Sequence, residues 1–121
     1  MSAPNIINAT TINGKTAVVS PANTSANAIL SNNVANHLLR VVSIYVSNLD
    51  TVACNVTVNY HASADNSATA RPLCDTLSIP ANSTLTLLDR GPLYLEENTS
   101  LYVTAGTASK LTVICSYEDI S

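Results

Sequence analysis

Tryptophan and phenylalanine are both missing from this 121-residue chain, glycine occurs three times, and charge is scarce. Asp, Glu, Lys and Arg make up 11% of the residues, against about a quarter in an ordinary soluble domain. Each shortage excludes a class of function. Gly14, Gly91 and Gly106 stand singly, whereas loops that cradle phosphates need several glycines so that the backbone can approach the ligand. Lys15, Arg40, Arg71, Arg90 and Lys110 are scattered through a chain of net charge −3. Nucleic-acid binding draws on clustered cations, and base stacking would rest on five tyrosines alone. Nucleic acid is therefore not an expected partner.

Other absences act in the same direction. Cys54, Cys74 and Cys115 are far apart and form no C-x-x-C pair, so the zinc-finger and redox spacings are missing and buried free thiols are expected. No run approaches the roughly 18–20 apolar residues of a membrane span. The start MSAPNIINATTINGK has neither a basic end nor a continuous apolar run, so no secretory signal and no membrane partner are expected. His-Glu-x-x-His and Gly-x-Ser-x-Gly are absent. Of the two histidines, His37 reads as a loop residue and His61 as a solvated residue on the polar side of a strand. Nothing points to a cofactor, a metal or catalysis.

What the chain does contain is strand texture. In CNVTVNYH, Cys54, Val56, Val58 and Tyr60 share one side of an extended segment, and Asn55, Thr57, Asn59 and His61 the other. The same alternation puts Leu111, Val113, Cys115 and Tyr117 inward near the end of the chain, and Leu101, Val103 and Ala105 inward in LYVTA. In the long run LLRVVSIYVSN the core side is read as Val42, Ile44 and Val46, with Leu39, Val41 and Tyr45 opposite. Further strands are expected at residues 73–79 and 84–88, with turns at 50–51, 64–67, 80–82 and 89–92. The expectation is an all-β fold: a single antiparallel β-sandwich of Ig-like or jelly-roll type over residues 37–121. Residues 1–36 are polar. They read either as an extended arm, with Ile6, Ile7, Ile12, Val18 and Val19 as its apolar anchors on a partner, or as edge strands, best at 16–20 and 27–30.

The acidic pair in RGPLYLEENTSLYV tests for catalysis. Successive side chains of a strand diverge, whereas glycoside hydrolysis needs two carboxyls facing one substrate about 5–9 Å apart. The apolar alternation on either side of Glu96, Glu97 and Asn98 reads instead as a hairpin, with Asn98 at a positive-φ position of its tip. That tip faces solvent or a neighbouring subunit. With Asp89, these residues lack the spaced oxygen ligands of a calcium loop.

Three stretches, RVVSIYVSNLD, SIPANSTLTLLDRGPLYLEENTSLYVTAG and the closing ICSYEDIS, resemble small virion structural proteins of tailed phages, especially those of cyanobacteria. The shared features are a strand ending in a Val-x-Asn turn, a Pro-Ala-x-x-Thr-Leu loop, a Pro-Leu-Tyr-Leu-Glu-Glu hairpin and a final Tyr-Glu-x-Ile. They span residues 38–121 and are features of scaffold rather than of chemistry. The resemblance implies a non-enzymatic particle component. The expected role is a capsid decoration (cement) protein on the outside of the head, partnering the major capsid protein and itself as a homotrimer. A neck, tail or fibre-base adaptor is the alternative. A carbohydrate-binding or adhesion module ranks lower, because Tyr45, Tyr94 or Tyr102 would have to supply its aromatic platform.

Overall fold

The computed structural model describes residues 10–89 and 92–121. Among them the chain forms nine β-strands and no helix: β1 (Ile12–Val19), β2 (Ala26–Asn32), β3 (Leu38–Asn48), β4 (Cys54–His61), β5 (Arg71–Ile79), β6 (Thr84–Leu88), β7 (Leu93–Leu95), β8 (Thr99–Ala105) and β9 (Leu111–Ile120). Strands β1, β9, β3 and β6 pair in that order as sheet A, where β7 also pairs with β3; β2, β8, β4 and β5 form sheet B. Every pairing is antiparallel. Because β6 lies against Ile44–Ser47 and β7 against Leu39–Val41, the two share one edge of sheet A along successive parts of β3. Counted as one, the strands run 1-8-3-6 in one sheet and 2-7-4-5 in the other. That order is a jelly roll. The expected antiparallel sandwich is what forms, and of its two types the connectivity is the second.

The core lies between the sheets. Sheet A contributes Leu39, Val41, Ile44, Val46, Leu95, Leu111, Val113 and Cys115; sheet B contributes Ile29, Leu30, Cys54, Val56, Val58, Ile79, Leu101, Val103 and Ala105. The alternation expected of β4, β8 and β9 is present: Asn55 is exposed between buried Cys54 and Val56, and Ile114 between buried Val113 and Cys115.

Strand β3 departs from its expected pattern. Val41 pairs with Tyr117 but Ser43 with Ser116, so Val42 is an extra residue, a β-bulge. One inserted residue exchanges the faces of a strand. Leu39 and Val41 therefore point inward before the bulge and Ile44 and Val46 after it, while Val42 is only half-buried. Strict alternation had put Val42 on the core side. The bulge lets one 11-residue strand serve the core along its whole length.

The chain from residue 12 to 32 is sandwich, not arm. Strand β1 pairs with β9 at eight successive positions, and β2 pairs with β8 while burying Ile29, Leu30 and Asn32. Of the two alternatives for residues 1–36, edge strands describe this part; Ile6 and Ile7 lie outside the described residues.

Candidate interaction surface

Glu96, Glu97 and Asn98 do not cap a hairpin. Strand β7 belongs to sheet A and β8 to sheet B, so the three residues make a crossing between sheets. The flanking alternation is the same in both cases, and only the pairing partners tell them apart. Asn98 does take a positive φ of 60°, which Asn tolerates better than most residues. Glu96 is exposed, and its carbonyl accepts the Thr99 hydroxyl at 2.7 Å. Glu97 turns the other way: its Oε1 accepts the Asn36 N–H at 2.8 Å, and its Oε2 is buried without a partner. The two carboxylates therefore diverge onto different surroundings and share no substrate position.

The corner is held by a buried residue. Asn32, 2% exposed, donates its side-chain amide to the carbonyls of His37 (2.8 Å) and Leu95 (2.9 Å), and its own carbonyl accepts the Asn98 N–H at 2.8 Å. It thus ties the β2–β3 crossing to the β7–β8 crossing. Asn48 does the same at the other end of the sandwich. Its amide reaches the carbonyls of Val52 and Ile79 at 3.0 Å and Pro80 at 3.3 Å, while its Oδ1 accepts the Asp50 N–H at 2.9 Å. Buried polar atoms are costly unless paired, so each Asn specifies which loops meet at its end. Asn48 entered the sequence reading only as the last residue of a Val-x-Asn strand end, and Asn32 not at all, because in so Asn-rich a chain nothing distinguishes a buried Asn from its exposed neighbours.

Both histidines are more engaged than expected. His61 is buried, 5% exposed, rather than solvated. The loop of residues 62–70 folds back over its strand, so that Nδ1–H donates to the Ala68 carbonyl at 2.9 Å and the ring meets Tyr102 edge-on. His37 sits in its loop and donates Nδ1–H to Asp119 Oδ1 at 2.7 Å. Lys15 approaches the other oxygen of Asp119 at 3.2 Å. Burial alone would raise the Asp119 pKa, but the hydrogen bonds from His37 and Lys15 outweigh it and hold the carboxyl below its ordinary value. Arg40 and Glu118 pair at 2.8 Å nearby. Cys54, Cys74 and Cys115 are free, with Cys54 and Cys115 buried and Cys74 half-buried on β5. Burial pushes the Cys115 thiol up to about 12 and raises Cys74 in the same direction, so neither is an activated nucleophile. Among the described residues, no group of three or more His, Cys, Asp or Glu could hold a metal ion.

What the surface offers is a sheet face. Register places Val18, Ile114 and Tyr45 side by side across β1, β9 and β3 on the outward side of sheet A. They are 62%, 36% and 36% exposed. Hydroxyl rows flank this belt: Thr16, Ser116 and a buried Ser43 on one side, Ser20, Thr112, Ser47 and Thr84 on the other. The equivalent rows on sheet B are Thr57, Thr104 and Ala26, then Asn59, Tyr102 and Ala28. Of the anchors expected on strand β1, Ile12 and Val18 are exposed on the outward side of sheet A. Val19 is not, because its pairing with Val113 turns it inward against the core. Tyr45 and Tyr94 share the outward face of sheet A in separate rows, since Tyr94 stands beside Arg40, and Tyr102 lies on sheet B.

No protein-family model and no curated protein matches the chain. Among solved structures it is similar to a chain of the Bacillus endospore appendages, a family of disulfide-linked pili: 15% identity, 92% of this chain and 88% of that one, TM-score 0.53. This likeness is one of fold. An exo-β-1,3-galactanase from Phanerochaete chrysosporium aligns at 18% identity over 100% of this chain and 29% of its own, but a TM-score of 0.28 carries no argument. The described chain is thus an all-β sandwich protein whose fold recurs in a pilus-type protein.

Proposed function

We propose that this chain is a non-enzymatic structural subunit of a phage particle, a capsid decoration protein that binds the outer head surface as a homotrimer and joins neighbouring capsomers. The observation that carries the reading is the Val18–Ile114–Tyr45 belt, an uncharged apolar strip on an outward sheet face between rows of hydroxyls. Interfaces that hold subunits together place apolar and aromatic groups centrally and polar groups around them. A surface with few charges suits a protein packed against the major capsid protein, and the sequence features shared with virion proteins agree with that role.

Copy number and position in a reconstructed virion test the reading. Decoration requires many copies on the head exterior; a few copies at the neck or tail would replace it. In solution, the protein should bind pre-formed, expanded heads, and Ile114→Asp or Tyr45→Asp should weaken binding about tenfold or more with the fold intact. A second reading, a subunit of a tail, fibre base or other filament, is favoured by the fold likeness to the pilus chain. It predicts filaments in concentrated preparations. Such filaments would not depend on Cys54 or Cys115, which lie inside the sandwich.

A further inference from the structure

Among the described residues four strand edges border the two sheets, and three are irregular. Strand β5 carries Pro72, a positive φ at Thr76 and two register shifts against β4. The β6–β7 edge is made of two separate short strands, Thr84–Leu88 and Leu93–Leu95, and β2 shifts register between Ala28 and Leu30. Bulges, breaks and prolines are the usual means by which an exposed edge is kept from pairing with another chain. Strand β1 has none of them. Its eight residues pair with β9 in unbroken register, and it contains no proline.

The hydrogen-bond phase of β1 is also determined. Thr11 and Ser121 exchange both backbone bonds, at 2.9 and 3.0 Å. Bonded and non-bonded pairs alternate along an antiparallel ladder. The N–H and C=O groups of Asn13, Lys15, Ala17 and Val19 therefore face β9, and those of Ile12, Gly14, Thr16 and Val18 face the edge that no described strand pairs with. A row in which every second residue presents both a donor and an acceptor is self-complementary under a two-fold axis.

We infer that β1 pairs antiparallel with β1 of a second copy, centred on Thr16, so that sheet A runs continuously across a two-fold axis. Thr16 then bonds Thr16 of the second copy, and Gly14 and Val18 bond Val18 and Gly14, roughly six backbone hydrogen bonds at two per bonded pair. Charge and bond count together select this register, since centring one residue later leaves two bonded pairs in place of three. Centring the contact one residue earlier sets Lys15 directly against Lys15, which like-charge repulsion disfavours; centring on Thr16 sets it against Ala17. The Lys15 ammonium is already turned back onto Asp119, so the strand brings no unpaired charge to the seam. Val18 would lie beside Gly14 of the other copy, where a Cβ would meet nothing within 4 Å. The contact extends the belt of one copy towards its neighbour; it goes beyond the decoration reading without depending on it, and where the trimer of that reading also forms, the two-fold pairing joins two trimers into a hexamer.

Light scattering on the full-length chain tests the pairing. Wild type should have a mass of about twice the 12.7 kDa monomer, or a higher even multiple. Thr16→Pro removes an N–H that the monomer does not use, and proline is tolerated at such edge positions. The variant should keep its fold and halve its mass; Val18→Pro is the alternative if Thr16→Pro fails to fold. Isotope-filtered NOEs in wild type should connect the Lys15 and Ala17 α-protons of different copies. A wild type that stays monomeric at millimolar concentration overturns the inference. So does an assembly, trimer included, whose mass a folded Thr16→Pro or Val18→Pro variant leaves unchanged, or a dimer lacking the Lys15–Ala17 NOEs.

Discussion

The two ends of the sandwich are closed by the same device in different electrostatic settings. At one end Asn48 gathers the β3–β4 and β5–β6 crossings through neutral hydrogen bonds. At the other, Asn32 gathers the β2–β3 and β7–β8 crossings, and there charge is added: His37 and Lys15 on Asp119, Arg40 with Glu118, and Glu97 on the Asn36 N–H. Buried amides define which loops meet at both ends. The Asn32 end carries Asp119, whose carboxyl its partners hold below its ordinary value.

Four experiments probe that contrast, beginning with the largest expected effect. Asn48→Ala leaves one buried and two part-buried carbonyls without their donor and should cost about 3 kcal/mol, measured by urea unfolding. Asn32→Ala strands two carbonyls and should cost about 2 kcal/mol; a negligible loss would mean that neighbouring polar groups close that end without the amide. Asp119→Asn should cost about 1 kcal/mol at neutral pH. Because the Asp119 pKa is lowered in the folded state, its contribution is complete above the ordinary value of 3.8 and is lost as pH falls below it through the folded value. The stability gap between wild type and Asp119→Asn should therefore close in acid, whereas the Asn48→Ala gap should show no such Asp119-linked loss. Glu97→Gln is the smallest change. It keeps an acceptor for Asn36 and removes the charge from a carboxylate with an unpaired buried oxygen, so it should alter stability by no more than about 0.5 kcal/mol. A larger loss would show that the carboxylate charge itself holds the corner.

Much of the fold was legible because strand periodicity is local. The inward sets of β4, β8 and β9 follow from alternation alone, and Asn98 was recognisable as a left-handed turn residue. Val42 was misplaced because a bulge is set by the partner strand: β9 supplies one residue where β3 supplies two. His61 was misread because the loop that buries it returns from residues further along the chain. The acidic corner was mistaken for a hairpin because a turn within one sheet and a crossing between two carry the same residues. The belt was not legible at all. Val18, Tyr45 and Ile114 are distant in sequence, and only β9, lying between β1 and β3, brings them into one row.

RGPLYLEENTSLYV shows the division most clearly. Sequence alone determined that its carboxylates diverge, that Asn98 turns the chain and that the flanking residues are strands, because each depends on backbone geometry over a few residues. Tertiary structure alone decided that the strands belong to different sheets, that Glu97 fastens a neighbouring loop and that Asn32 lies beneath the corner. Those outcomes depend on pairing partners tens of residues away, selected by the packing of the common core.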